Sequence, residues 1–186
     1  MRAFIALELP DSVRATLQSY QRQLIATGAD VKWVEAENLH VTMRFLGEIS
    51  VEQFAAVDEL ARRIAGGTRT FDVRLSQPGA FPSIRAPRVV WMGIADGAET
   101  LSSVVRDLEV GLGTIGISGE ERAFVPHVTL GRVRSPRGRR QLVDGIEQAD
   151  WRAPEPFRAD ALTLFESRIS SGGPAYSVVS RAPFGA

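Results

Sequence analysis

The 186-residue sequence contains no cysteine, which excludes disulfide bonds, thiolate metal sites and a cysteine nucleophile. Its 22 basic and 22 acidic residues leave a formal net charge of zero, unlike a protein that coats nucleic acid by bulk charge. No apolar stretch approaches the roughly 20 residues of a membrane-spanning helix, and the first residues show no signal-peptide pattern. We therefore expect a monomeric cytoplasmic protein that makes no membrane contact and binds nucleic acid only locally.

The apolar periodicity of the first half predicts alternating strands and helices. A β-rich apolar run is followed by residues at helical spacing that end at Gly28, and the next alternating segment begins at His40. Ser50 and Gln53 have the spacing of a capping box, which predicts the start of a second helix. The predicted elements are a strand at 3–9, a helix at 13–24, extended segments at 32–34 and 40–45, a helix ending at 66–67, and a strand at 71–75.

The second half repeats this order after a Pro/Gly-rich stretch, residues 77–87, that we interpret as the connector between halves. A strand at 88–94 precedes a second capping-box spacing, Asp96 to Glu99, and a helix through residue 112. Ser135 and Pro136 then predict the cap and first turn of a short helix. The remaining elements are a strand at 127–130 and a hairpin of strands 161–165 and 176–179 around a turn at 170–174.

The two histidines of the chain occur in one local pattern. His40 and His127 each begin the sequence His-Val-Thr, so that Thr42 and Thr129 follow two positions later, at similar distances from the start of each half. In a strand, positions i and i+2 share a face, so each imidazole lies beside a hydroxyl. A lone His-x-Thr is more often structural, but this repeat indicates an internal duplication and favours a catalytic pair. We predict one two-lobed α+β domain over residues 1–186 with a pseudo-twofold axis.

Two histidines and two hydroxyls suit displacement at a phosphodiester. One imidazole takes a proton from the attacking oxygen, the other gives a proton to the leaving oxygen, and the hydroxyls hold the non-bridging oxygens. Because histidine titrates near pH ~6.5, one ring can be neutral and the other protonated at neutral pH. A zinc site is disfavoured, since the two histidines are far apart and no carboxylate spacing accompanies them.

The segments ENLHVTMRFLG (37–47) and FVPHVTLGR (124–132) resemble the paired HxTx motifs of the two-histidine phosphoesterase superfamily. More narrowly, they are similar to bacterial and archaeal RNA 2′,3′-cyclic phosphodiesterases, also called 2′-5′ RNA ligases of the LigT/ThpR type. The likeness extends over most of the chain, through FIALELP at the start, GAFPS…PRVVWMGI in the middle and Gly-Gly-Pro-x-Tyr near the end.

The resemblance implies a fold in which two antiparallel sheets face a central cleft, with helices outside and one HxTx strand from each lobe. It also implies hydrolysis of an RNA 2′,3′-cyclic phosphate end to a 2′-phosphate without metal or cofactor, and a reverse ligation. By the same resemblance His40 donates a proton to the departing 3′ oxygen and His127 activates water. Thr42, Thr129 and Arg132 would bind the phosphate.

The position of Arg132 conflicts with simple alternation along a strand. Arg132 differs from His127 by an odd number of positions, whereas Arg44 shares parity with His40. A bulge or a strand end at Gly131 would turn Arg132 to the histidine face. Because the resemblance implies a phosphate-binding arginine at this position, we rank Arg132 before Arg44 as the phosphate ligand. A solvent-facing strand charge is the alternative interpretation of Arg44.

Further contacts with substrate are expected from arginines and aromatic residues. The basic stretch formed by Arg132, Arg134 and the arginines at 137, 139 and 140 would guide an RNA backbone at the cleft mouth, although a solvated loop explains it equally well. Phe45, Trp33 and Phe81 are candidates to stack on a base, with core packing as the more common role.

Two other functions remain open from the sequence. One is a phosphodiesterase acting on a different cyclic or 2′-5′ linked nucleotide, and the other is a non-catalytic module that binds RNA ends. Retention of both histidines favours the enzyme.

Overall fold

The computed structural model describes residues 1–171 and 173–186, and the order of its elements repeats between the two halves of the chain. Strand, helix, strand and helix occur as β1-α1-β3-α2 and again as β6-α3-β7-α4. The elements are β1 (Arg2–Glu8), α1 (Asp11–Ile25), β2 (Val31–Trp33), a 3₁₀ turn (Ala36–Asn38), β3 (His40–Glu48), α2 (Val51–Gly67), β4 (Phe71–Val73), β5 (Leu75–Phe81), β6 (Val89–Ile94), α3 (Ala98–Thr114), β7 (His127–Val133), α4 (Arg139–Gln148), β8 (Phe157–Ala159), β9 (Ala161–Ser170) and β10 (Gly173–Pro183).

The strands confirm the predicted α+β class with antiparallel pairing. They run in the order β10-β9-β1-β3-β7-β6-β5, with β2 also paired to β7, while β4 and β8 form a separate pair. The first HxTx strand, β3, lies beside the second, β7, and the two are joined at the single pair Val41–Val128. The two expected sheets are therefore two halves of one sheet that meet where the HxTx motifs meet.

The helices cover the inner face of this sheet and bury its apolar side chains. Val13, Leu17 and Leu24 of α1 are fully buried, as their helical spacing predicts. The capping box of Ser50 and Gln53 is confirmed at the start of α2, with both reciprocal hydrogen bonds present. Helices α2 and α3 approach closely where Leu60 packs on Gly111, a position at which a Cβ has no room.

The predicted connector at 77–87 is wrong in its first half. Strand β5 extends through residue 81 and pairs with β6, and the strand predicted at 71–75 is divided between β4 and β5. Gly79 lies in this pair because the ring of Trp91 occupies the space that a Cβ would need. Glycine and proline here do not mark a loop, because the absent side chain of Gly79 makes room for a tryptophan within a strand pair.

Two predicted helix starts are also wrong. Helix α3 begins after Gly97, which has a φ of 85°, and Asp96 forms an ion pair with Arg74 at 2.9 Å instead of capping. Helix α4 begins after Gly138, with a φ of 71°, three residues beyond the expected start. The Ser135 hydroxyl donates a hydrogen bond to the Asp30 carboxylate at 2.6 Å instead of capping the helix.

The predicted terminal hairpin is confirmed, with β9 and β10 longer than expected. Gly172, within its predicted turn, lies outside the described residues. Beyond its pairing with β1, the hairpin continues as an arm towards the 3₁₀ turn, where Asn38 donates a hydrogen bond to the Pro174 carbonyl at 3.2 Å. None of the helices described is long and apolar enough to cross a lipid bilayer.

Candidate active site

Each HxTx strand carries a bulge at the third residue after its histidine. In β7, Thr129 lies opposite Trp91 and Gly131 opposite Val90, so Leu130 is the extra residue. In β3 the extra residue is Met43, between Thr42 and Arg44. Since a bulge shifts the alternation by one, the fifth residue after each histidine returns to the histidine face.

These bulges decide which arginine reaches the cleft. Arg132 is exposed on the same face as His127 and Thr129. The bulge that the sequence analysis expected near Gly131 is therefore present. The expectation that Arg44 shares a face with His40 is wrong, because the bulge at Met43 turns Arg44 into the interior. There Arg44 is only 5% exposed and pairs with Glu109 of α3 at 2.5 Å and with Glu120 at 3.2 Å.

The pairing of β3 with β7 brings both motifs to one face. Val41 and Val128 lie opposite each other and are fully buried, so the residues on either side of them project to the other face. The antiparallel direction places His40 towards Thr129 and Thr42 towards His127. The structure therefore brings together the predicted acid, base and hydroxyl residues.

The ring of His40 is held by hydrogen bonds at both nitrogens. Its Nδ1 lies 2.7 Å from the Asn38 carbonyl oxygen, so Nδ1–H is the donor, and its Nε2 lies 2.9 Å from the Thr42 hydroxyl. Burial lowers the pKa of His40, the bond to Asn38 opposes this, and the charges of Arg14 and His127 lower it further. His40 is thus preset in one tautomer with Nε2 on the cleft side.

His127 has the same tautomer but a different charge environment. Its Nδ1–H donates to the Val125 carbonyl at 2.7 Å, and within the described residues its Nε2 has no hydrogen-bond partner. Burial lowers the pKa of His127, the bond to Val125 opposes this, and the charge of Arg132 lowers it further. A neutral ring with a free Nε2 lone pair is the form that a general base requires.

Aromatic rings surround each histidine, although no pattern in the sequence predicts that they gather there. Phe4, Phe165 and Tyr176 lie against His40 with ring centroids 4.9, 6.3 and 5.5 Å away. Tyr176 belongs to the hairpin arm, so the arm reaches the histidine of the first lobe. Burial raises the pKa of Tyr176, and the charges of Arg132 and Arg2 oppose that rise. Only the strand pairing over long sequence distances reveals this cluster.

The structure separates the three aromatic residues that were candidates for base stacking. Phe45 is 53% exposed on the cleft face, and its ring centroid lies 5.9 Å from that of Phe4. Phe81 lies edge-on to His127 at 5.1 Å, whereas Trp33 packs over Gly131 beside the core. Phe45 is the exposed ring of the three.

The expected basic stretch is divided among different surroundings. Arg134 is exposed beyond Arg132, Arg137 lies 4.0 Å from the carboxylate of Asp30, and residues 139–140 are the first residues of α4.

Gln21 of α1 is a further residue that no sequence pattern indicates, and its buried amide donates hydrogen bonds to the carbonyls of Val34 and Leu130, each at 2.9 Å. Gln21 thereby satisfies the backbone of the bulge that aims Arg132.

No three His, Asp or Glu side chains among residues 1–171 and 173–186 are grouped as a metal site. The cleft offers two imidazoles, two hydroxyls and one guanidinium on a common face, a set suited to acid–base chemistry on an anion. Fold and site together define the class as a two-histidine phosphoesterase.

The comparison with protein families identifies that class more narrowly. The family described as LigT like Phosphoesterase matches the chain twice, over residues 7–91 and 93–176, and the chain belongs to this family. Each match contains one His-x-Thr, which confirms the predicted duplication. The protein is accordingly an enzyme of the phosphoesterase class.

Similar proteins cover nearly the whole chain. An RNA 2′,3′-cyclic phosphodiesterase of Methanothermobacter thermautotrophicus is 33% identical over 177 residues, which cover 95% of each chain. A crystal structure of a Thermus thermophilus protein has a TM-score of 0.82 at 28% identity, covering 99% of this chain and 98% of that one. Escherichia coli LigT in complex with 3′-AMP has a TM-score of 0.79 at 27% identity, covering 98% and 97%.

Proposed function

We propose that the protein hydrolyses the 2′,3′-cyclic phosphate at an RNA end to a 2′-phosphate, without a metal ion, using His127 as base and His40 as acid. The relative from M. thermautotrophicus carries the name RNA 2′,3′-cyclic phosphodiesterase, and the E. coli relative was crystallised with a nucleoside monophosphate. Both names agree with a nucleotide phosphate as the ligand of the cleft.

One observation supports the proposal above all others: the Val41–Val128 pair, which places two His-x-Thr units antiparallel on one face. Such an arrangement is matched to the symmetry of an in-line displacement, in which attacking and leaving oxygens lie on opposite sides of phosphorus. A structural role for the histidines would require neither the shared face nor the duplicated hydroxyls.

In the first part of the reaction, Nε2 of His127 removes a proton from water as the water oxygen attacks phosphorus. The bond from Nδ1–H to the Val125 carbonyl fixes the tautomer that leaves this lone pair free. Burial and Arg132 hold the pKa of His127 below its ordinary value, so the ring is neutral and ready to act as a base near neutral pH.

In the second part, the bond from phosphorus to the 3′ oxygen breaks and His40 supplies the proton that this oxygen needs. The pKa of His40 in the free protein is lowered by burial, so the ring must gain its proton when substrate binds. The negative charge of the cyclic phosphate favours that protonation. Water supplies the oxygen, and the products are a 2′-phosphate and a 3′-hydroxyl.

The non-bridging oxygens are held by Thr42, Thr129 and Arg132. The hydroxyls donate neutral hydrogen bonds, and the guanidinium adds a charge-assisted pair to the oxygens whose charge grows during the displacement. A 5′-hydroxyl in place of water would give a 2′-5′ linkage through the same two proton transfers, which is the reverse ligation expected from the resemblance.

Product analysis tests the proposal. An oligonucleotide ending in a 2′,3′-cyclic phosphate is incubated with the protein in the presence and absence of EDTA, and the products are resolved by chromatography. We expect only the 2′-monophosphate, formed at the same rate with chelator.

A 3′-monophosphate would reverse the proposed choice of leaving oxygen, and loss of turnover in EDTA would contradict metal independence. Binding without turnover would favour the RNA-end-binding module. Turnover restricted to a different cyclic or 2′-5′ linked nucleotide would keep the chemistry and reject the RNA substrate.

A further inference from the structure

A groove opens between α1 and the short strand β2. Its volume is about 460 Å³, and its walls carry three cationic side chains, Lys32, Arg134 and Arg22, against one carboxylate, Glu35. The protein has equal numbers of acidic and basic residues, so this local excess of positive charge is not a reflection of its composition.

Lys32 connects this groove to the candidate active site. It lies directly opposite Arg132 in the β2–β7 pair, and residues opposite each other in a sheet share a face. Its ammonium group also approaches the hairpin arm, because a Cβ added to Gly173 would lie 3.4 Å from Lys32 Nζ. The single lysine of the chain therefore stands where the cleft, the arm and the groove meet.

The cationic side chains between the cleft and the groove lack partners of opposite charge. Lys32, Arg132 and Arg134 form no ion pair with any described residue, and Lys32 and Arg132 are like charges in directly opposed positions, which is destabilising. Arg134 lies two residues after Arg132, just past the end of β7. At the rise of an extended chain, this places its Cα about 7 Å further from the histidines. An extended polyanion along this line would neutralise all three.

The direction of the line matches the chemistry of the substrate. A 2′,3′-cyclic phosphate occupies the 3′ end of an RNA, so every other phosphate of the chain lies on its 5′ side. With the cyclic phosphate between the histidines, those phosphates must leave the cleft, and the cationic line beginning at Arg132 and Lys32 offers the path.

We propose that the groove binds the phosphates of the RNA strand on the 5′ side of the cyclic end, through Lys32, Arg134 and Arg22. This inference rests on the proposed function and narrows its substrate to an oligonucleotide in preference to a mononucleotide. It also replaces the sequence expectation for residues 137, 139 and 140, since none of these lines the groove and Arg137 faces Asp30.

The test compares two substrates, adenosine 2′,3′-cyclic phosphate and an oligoadenylate of several nucleotides with the same end. The preference for the oligonucleotide is the ratio of the two kcat/KM values. In the double variant Lys32→Gln, Arg134→Gln we expect this ratio to fall about tenfold, since phosphate contacts are lost for the longer substrate alone. The matched control is Arg139→Gln, Arg140→Gln, which removes two arginines outside the groove and leaves the ratio unchanged.

Salt supplies a second readout. The slope of log kcat/KM for the oligonucleotide against log salt should become shallower by roughly 0.7 for each phosphate contact removed. Arg22→Glu changes a residue of α1 that lines the groove and leaves every residue of the cleft in place, so a lower ratio in this variant separates the groove from the cleft.

The inference is overturned if the wild-type protein turns over both substrates equally, or if the control variant lowers the ratio as much as the groove variant. In those cases mononucleotide turnover still supports the proposed function. If neither cyclic phosphate is hydrolysed, the proposed function itself fails.

Discussion

The two HxTx strands have the same geometry and different chemistry. Residues 40–45 read His-Val-Thr-Met-Arg-Phe and residues 127–132 read His-Val-Thr-Leu-Gly-Arg, and in both the bulge brings the sixth residue to the histidine face. That residue is Phe45 in the first lobe and Arg132 in the second. Duplication therefore supplied a symmetric scaffold, and a single position in each copy makes one half-site apolar and the other cationic.

The fifth residue of each motif also differs, because the space on the buried side of the two strands differs. In β7 the position is Gly131, where a Cβ would come within 2.7 Å of Val31 and 2.8 Å of Trp33. In β3 the equivalent Arg44 finds space and two carboxylates, Glu109 and Glu120. Strand β2 thus forces a glycine on one side, and the region around α3 accommodates a buried cation on the other.

The largest expected effects follow from losing either histidine. His40→Asn and His127→Asn should each lower kcat on a cyclic phosphate by about 100- to 10,000-fold, because each removes one proton transfer. Steady-state kinetics measures the loss, and circular dichroism checks that each variant is folded. A kcat within tenfold of wild type for either variant would remove that histidine from the mechanism.

The difference between the lobes can be tested by truncating Arg132 and Phe45, the two residues that occupy equivalent positions. Arg132→Ala should lower kcat/KM by about 10- to 100-fold, the equivalent of one charge-assisted hydrogen bond of about 1.5–3 kcal/mol. Phe45→Ala should lower it only about fivefold, which corresponds to the lower end of the roughly 1–3 kcal/mol that stacking of a base on an aromatic ring contributes, since this ring is 53% exposed. Equal losses, or a larger loss at Phe45, would break the assignment of the cationic half-site.

Arg44 provides the next test, which is one of stability. Arg44→Leu should lower the free energy of unfolding by about 2–4 kcal/mol, because it leaves Glu109 without its partner, while kcat changes little. Urea unfolding monitored by tryptophan fluorescence gives the first quantity. Adding Glu109→Leu should restore part of the stability. A large loss of kcat with unchanged stability would instead mean that Arg44 reaches the substrate.

The pH dependence of kcat/KM tests the charge difference between the lobes. Its shift on replacing Arg132 is the smallest of the expected effects. Catalysis needs one protonated and one neutral ring, so kcat/KM should be bell-shaped, with its centre at the mean of the two pKa values. Since burial lowers the pKa of both rings below the ordinary 6.5, the centre should lie on the acid side of that value. Arg132→Ala removes a charge that lowers the pKa of His127, so the centre should move to higher pH. A flat profile between about pH 5 and 8 would contradict two titrating histidines.

Much of the fold could be predicted because apolar spacing and the duplicated His-Val-Thr are local signals. The helix faces of α1 to α3 and the final hairpin follow directly from such spacing. The motif also identified the residues that gather at the cleft, His40, Thr42, His127 and Thr129, before any pairing was known.

The parts that escaped prediction depend on neighbours distant in sequence. The bulges at Met43 and Leu130 are defined by strand pairing, so simple alternation placed Arg44 on the wrong face. Gly79 permits the ring of Trp91 to pack and does not mark a turn. The groove at Lys32 exists because β2 pairs with β7, a contact that no short pattern in the sequence reports.

The central claim, that both histidines flank one anion, can be measured directly because the chain contains only two. NMR titration of the imidazole signals gives the two pKa values with and without adenosine 2′-monophosphate, and His40→Asn identifies which signal is which. We predict that both pKa values rise on binding one equivalent of this ligand, because one phosphate charge lies beside both rings. A shift confined to one ring, or shifts that saturate at different ligand concentrations, would contradict the account.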